Sequence, residues 1–169
     1  MIRESKTIIL TAVICIIPVI ILDAIGFKVV IQPTESMPKG IYRILPPEHI
    51  HKGDIVIFEF PKSVAHMKSR MWVPSESGLL MKSVQGVFND QITVTEDGLY
   101  INDVYFGEVK THDRQGLPLP SFKGRHLIKK DYFFVASRNK NSFDSRYFGL
   151  IARSTIQGIA KPIITFRED

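Results

Sequence analysis

The sequence holds a single cysteine, Cys15, and it lies in the apolar N-terminal stretch. Nothing downstream offers a thiol for a disulfide, a zinc site or a cysteine nucleophile. A cysteine-free remainder is at ease in an oxidising compartment. No block of five or more Lys or Arg occurs. The net charge of +5 is spread over single residues and pairs, with Lys129-Lys130 the densest. That pattern argues against a nucleic-acid partner. No phosphate-binding loop or dinucleotide fingerprint is present. His49, His51, His66, His112 and His126 are dispersed, so no metal site and no cofactor are expected. Internal repeats and long stretches of 3.6-residue periodicity are absent as well. What is present, 169 residues with 44% hydrophobic and 23% charged side chains, suits one globular domain with a short appendage.

The appendage is N-terminal. Residues Thr7 to Leu22 carry no charge, yet they fall short of the roughly 20 residues that cross a bilayer. Extension past Asp23 through Phe27 supplies the length, and Pro18 would kink such a helix without forbidding it. Three readings fit the segment. It is a buried core helix, an uncleaved signal anchor, or a removable signal peptide. In the last case Arg3 and Lys6 form the basic region and Ala24-Ile25-Gly26 the small-x-small cleavage site. The lack of a polar stripe and the terminal position favour the two membrane readings. The expected organisation is an anchor or signal segment over 1–28 and a folded domain over 29–169. Basic residues on both sides (Arg3 and Lys6 before, Lys28, Lys39 and Arg43 after) leave the orientation open.

From Val29 onward short apolar runs alternate with turn chemistry, which predicts a mostly β, antiparallel domain. Strands are expected over 40–45, 55–60, 79–88, 92–95, 99–101, 131–136 and 156–164. Glu96-Asp97-Gly98 reads as a hairpin turn with glycine supplying positive φ. Residues 62–77 and 111–125 read as loops, the first with an apolar island at Met71-Trp72-Val73. Those loops either shape a substrate groove or touch lipid.

Three segments carry chemistry. In Pro33-Thr34-Glu35-Ser36-Met37-Pro38-Lys39-Gly40, two prolines and a glycine fix the backbone around one serine, as a nucleophile on a rigid turn requires. Lys82 interrupts an apolar strand, sharing a face with Leu80 and Val84 under strand alternation. Apolar surroundings penalise its charged form and pull its pKa from about 10.4 toward neutrality. A neutral amine can then take a proton from a serine hydroxyl. Residues 137–149 are dense in hydrogen-bonding groups directly after a strand. There Asp144 and Arg146 can pair as a clamp, and a serine can orient a nearby lysine. Each segment by itself reads as readily as an ordinary turn, an edge-strand lysine or a capped loop.

Taken together and in order, these segments resemble the signal peptidase I family of Ser/Lys serine proteases. Ser36-Met37-Pro38 with Gly40 is similar to the nucleophile box, and Lys52-Gly53-Asp54-Ile55-Val56-Ile57-Phe58 to the Gly-Asp-x-Val strand. Met81-Lys82-Ser83-Val84-Gln85-Gly86 followed by Asp90 is similar to the general-base box. Tyr100-Ile101-Asn102-Asp103 resembles the Ile-Asn-Gly strand, with Asp103 where glycine is usual. Asn141-Ser142-Phe143-Asp144-Ser145-Arg146 with Gly149 resembles the final box. Two departures, Pro38 directly after Met37 and Ala136-Ser137-Arg138-Asn139 in place of Gly-Asp-Asn-Arg, resemble the conjugative-transfer (TraF-type) branch.

The resemblance implies Ser36 as nucleophile and Lys82 as general base. The Ser36 N–H and the Thr34 hydroxyl would form the oxyanion hole. Ser142 would hold the lysine amine, and Asp144 with Arg146 would brace the turn. It implies a protein precursor as substrate, a conjugative pilin subunit in particular, processed by hydrolysis or with cyclisation. It also implies membrane lipid and other transfer-apparatus components as partners. The implied location is the bacterial inner membrane with the catalytic domain on the periplasmic side, or the periplasm itself if the leader is removed. The competing expectations are a general signal peptidase acting on secretory preproteins and, in another class, a non-catalytic envelope component of a transfer or secretion apparatus.

Overall fold

Alternation between inward and outward side chains decides most of the strands. The computed structural model describes residues 26–71 and 78–166. The predicted anchor or signal segment therefore lies outside the described residues up to Ile25, as do Trp72 and Val73. The described strands are β1 (Lys28–Gln32), β2 (Gly40–Leu45), β3 (Ile55–Glu59), β4 (Leu79–Gly86), β5 (Gln91–Val94), β6 (Leu99–Ile101), β7 (Val104–Gly107), β8 (Gly124–Leu127), β9 (Tyr132–Ala136), β10 (Ile151–Ala152) and β11 (Ile156–Thr165). A single turn of helix, α1 (Ser145–Phe148), and 3-10 turns at Lys62–Met67 and Arg153–Thr155 complete the set. The strands make a seven-stranded sheet, β1-β2-β11-β3-β4-β9-β10, and a four-stranded sheet, β7-β6-β5-β8. Their pairings are antiparallel, so the chain is mostly β as its sequence predicts.

Each strand expected from the sequence forms, with ends displaced by a residue or two. β1, β7, β8, β10 and α1 are not marked by pattern. They are short, and β1 and β8 are largely exposed, so they carry no alternation long enough to read.

The large sheet buries both faces. Val56, Phe58, Val84 and Val135 point to one core with Phe148 and Ile159. Tyr42, Ile57, Met81 and Ala160 point to the other face. β9 divides its residues between two cores: Phe133 and Val135 enter the first, Phe134 and Ala136 the core under the small sheet. A strand buried on both sides has to read as a continuous apolar run, as Tyr132-Phe133-Phe134-Val135-Ala136 does. Where β4 passes the second core, glycine is required. A Cβ at Gly86 would lie 2.7 Å from Ile128 Cδ1, and the register with β9 shifts at that point.

The turns follow their local chemistry. Gly98 closes the β5–β6 hairpin at φ 145°. Asn102 and Asp103, at φ 51° and 62°, form the two-residue link between β6 and β7, a geometry that demands left-handed residues. That geometry also suits the glycine that the family resemblance leads one to expect at position 103. On the open side of the large sheet, Ile31, Ile41 and Ile164 pair across β1, β2 and β11. Ile31 and Ile164, with Val29 and Phe166, leave an exposed apolar row on β1 and the end of β11, with Ile41 half-buried between them.

Candidate active site

Between the end of β1 and the start of β2 the chain makes the tight turn that carries Thr34, Glu35 and Ser36. The turn ends at Gly40, where a Cβ would run into the backbone of Ile164 and Thr165. The Tyr42 hydroxyl donates to the Pro38 carbonyl at 2.7 Å, tying the exit of the turn to a fully buried ring. Thr34 Oγ1 and Ser36 Oγ lie 3.1 Å apart. The Gln32 side-chain amide donates to both the carbonyl and the hydroxyl oxygen of Thr34. An amide N–H2 only donates, so Thr34 Oγ1 accepts from Gln32 and keeps its own proton for another acceptor. Ser36 itself is half-buried.

Lys82 sits on β4 opposite Val56 of β3. Its face is that of Leu80 and Val84, as alternation predicts, and the residue is only 5% exposed. Burial pulls its amine down from 10.5 to about 8, with Asp144 opposing the shift and Arg146 adding to it. Ser36, Thr34, Lys82 and Ser142 line one cavity of about 710 Å³. Ser142 Oγ is buried and has no hydrogen-bond partner among the described residues. A buried hydroxyl without a partner is costly, and it faces the cavity that Lys82 also lines.

Asp144 and Arg146 lie beneath this wall, 0% and 1% exposed. The guanidinium meets the carboxylate through two bonds, Nε–Oδ1 at 2.8 Å and Nη2–Oδ2 at 2.7 Å. It also donates to the carbonyls of Glu108, Ser137 and Asn139. Asp144 accepts from the backbone N–H of Ser137 and caps α1 by accepting from that of Arg146. The predicted clamp is present, and it organises the turn over residues 137–142 that bears Ser142.

Two further residues of the site are given no role by the sequence. Gln32 is one; Asn139, whose amide donates to the Glu35 carbonyl at 3.1 Å, is another. The two loops shape the groove. Arg70 and Met71 from one and His112, Asp113 and Leu119 from the other line the cavity, and Arg70 joins them through an ion pair to Asp113 and a bond to the Pro118 carbonyl. Nothing in the sequence links positions 70 and 113. Among the described residues no helix is long and apolar enough to cross a membrane.

The profile of the family described as "Signal peptidase, peptidase S26" matches residues 3–165. The chain is 31% identical to a probable conjugal transfer protein TraF of Sinorhizobium fredii, over 83% of this chain and 78% of that one. It is 28% identical to a plasmid transfer protein TraF of Escherichia coli, over 80% and 82%. To signal peptidase I V of Bacillus subtilis it is 28% identical, over 65% and 64%. Among solved structures, a signal peptidase I of Enterococcus faecalis covers 66% of this chain at 20% identity with a TM-score of 0.40.

Proposed function

The chain belongs to the signal peptidase family, peptidase S26, and on that premise we propose that it is a membrane-associated serine endopeptidase with a Ser36/Lys82 dyad. Its substrate in this reading is a protein precursor, in particular a conjugative pilin subunit. The observation that carries the reading is a buried amine, pulled down to about 8, lining the same cavity as the serine of a rigid turn.

The neutral Lys82 amine takes the Ser36 hydroxyl proton as Oγ bonds to the scissile carbonyl carbon. Charge builds on the carbonyl oxygen, which the Ser36 N–H and the Thr34 hydroxyl receive. The C–N bond then breaks, the Lys82 ammonium gives its proton to the leaving amine, and an ester to Ser36 remains. Water, losing its proton to Lys82, hydrolyses the ester; if the amine of the substrate's own chain attacks instead, the product is cyclic. In either case the Ser36 oxygen recovers its proton from Lys82. The orphaned Ser142 hydroxyl supports its role as the group that holds the amine. The Asp144–Arg146 clamp supports the bracing role, because it ties down the turn on which Ser142 sits.

Likeness to conjugal transfer proteins supports a transfer-apparatus substrate; likeness to signal peptidase I V favours a general signal peptidase as the second reading. The exposed row of Val29, Ile31, Ile164 and Phe166 supports a domain held against lipid, in this reading on the periplasmic side of the inner membrane. Incubation with a pilin precursor and with an ordinary secretory precursor separates the readings. Cleavage of the pilin precursor, lost in Ser36→Ala, Lys82→Ala and Lys82→Arg, is expected; a guanidinium stays protonated and cannot serve as base. Robust cleavage of the secretory precursor alone would sink the pilin reading, and wild-type processing by Ser36→Ala would sink the dyad.

A further inference from the structure

The sequence departs from its family at Ala136-Ser137-Arg138-Asn139, and the structure assigns one residue of that departure a task. Asn139 lies in the turn that the buried clamp holds. Its carbonyl accepts from the backbone N–H of Ser142 at 3.0 Å and from Arg146 Nη2 at 3.2 Å. Its own N–H donates to Ser137 Oγ at 3.1 Å. Its side-chain Oδ1 accepts from the Asn141 N–H at 2.8 Å, which settles which way the amide faces. Nδ2 is thereby aimed outward, and it donates to the Glu35 carbonyl, 104 positions away, at 3.1 Å.

That carbonyl belongs to the peptide unit whose nitrogen is Ser36 N. A trans peptide is planar, with C=O and N–H pointing in opposite directions. Holding the Glu35 oxygen therefore sets the direction of the Ser36 N–H. Among the described residues no protein group accepts from that N–H, so it is free for an incoming oxyanion. We infer that Asn139 is a positioning residue for the oxyanion hole: by holding the Glu35 carbonyl it fixes the Glu35–Ser36 peptide plane and aims the Ser36 N–H at the reacting carbonyl. The donor is inexpensive to keep in place because the clamp already orders Asn139. The alternative role, bracing the local turn, belongs to Oδ1 and not to Nδ2.

This inference rests on Ser36 being the nucleophile, so its test includes that premise. The full chain is compared with Ser36→Ala, Lys82→Ala, Asn139→Ala and Asn139→Ser on a peptide substrate, with melting temperatures recorded. A serine hydroxyl at 139 still accepts from the Asn141 N–H but is too short to reach Glu35, and it adds no charge. Binding of a peptide boronic acid is measured alongside. The Ser36 oxygen adds to its trigonal boron, the hydroxyl proton passes to Lys82, and a boron-bound oxygen takes the oxyanion position.

Both Asn139 variants are expected to lose about 10- to 100-fold in kcat, less than deleting a donor outright, with KM changed less than about twofold. Boronate affinity should fall by a similar factor, and affinity for the cleaved product peptide should not change. A merely structural residue would not single out the tetrahedral adduct. Wild-type kcat and boronate affinity in Asn139→Ser would overturn the inference, even if Asn139→Ala is impaired or fails to fold. Wild-type activity in Ser36→Ala or Lys82→Ala would instead remove the dyad beneath it.

Discussion

Burying an amine among apolar side chains penalises its charge, and Lys82 shows both consequences, one in chemistry and one in stability. With the amine pulled down to about 8, the neutral form grows as pH rises. The rate of precursor processing is therefore expected to climb and reach half its plateau near pH 8, as a pH–kcat/KM profile would show. Lys82→Met keeps most of the side-chain length and removes the buried charge. It should be inactive yet more stable at pH 7 by about 1–3 kcal/mol in denaturant titration; unchanged or lower stability would contradict the cost of burial. Gln32 acts on the same site from the other side. Because it occupies Thr34 Oγ1 as a donor, it leaves the threonine proton available for the oxyanion. Gln32→Leu is expected to lower kcat by about 3- to 10-fold, and Thr34→Val by roughly 100-fold or more, measured on one peptide substrate.

At the scale of elements, turns and loop contacts make separable contributions. The link between β6 and β7 places Asp103 at φ 62°, a region costly for a residue with a Cβ. Its contact to Arg125, at 3.7 Å between two exposed side chains, offsets little of that cost. Asp103→Gly should stabilise the domain by about 0.5–1 kcal/mol in thermal unfolding and leave activity unchanged. The Arg70–Asp113 pair has a different purpose, since it fastens two groove loops rather than a core. Arg70→Leu is expected to raise KM about 3- to 10-fold with little change in kcat, as loosened walls weaken ground-state binding.

For the whole molecule, the sign of the pH dependence of stability follows from Lys82. Its folded pKa, about 8, is below the unfolded value of 10.5, so between those values the unfolded chain binds more protons. Stability should rise with pH across that window, and the rise should vanish in Lys82→Met. β9, a strand of the large sheet alone, couples this site to the rest through its two faces. The same strand feeds the main core through Phe133 and Val135 and the second core through Phe134 and Ala136, and then leads into the turn of Asn139 and Ser142. The exposed apolar residues of β1 and β11 lie on the side where the N-terminal segment joins.

Seven of the eleven described strands, the Gly98 turn, the inward face of Lys82 and the pairing of Asp144 with Arg146 were legible in the sequence. Each depends on neighbours a few residues away, through alternation, turn chemistry or short-range hydrogen bonding. Even the displaced strand ends stay within that logic, because edges fray where burial stops. The sequence by itself also determined which residue types could do the chemistry. Only the tertiary structure decided how they meet. It put Lys82 and Ser142 on one cavity, drew Arg70 to Asp113, and carried the Asn139 amide across 104 positions to the peptide of Ser36. Such contacts join polar groups on separate loops. They leave no periodicity in the chain, because their geometry exists only after the sheets have packed and brought the loops together.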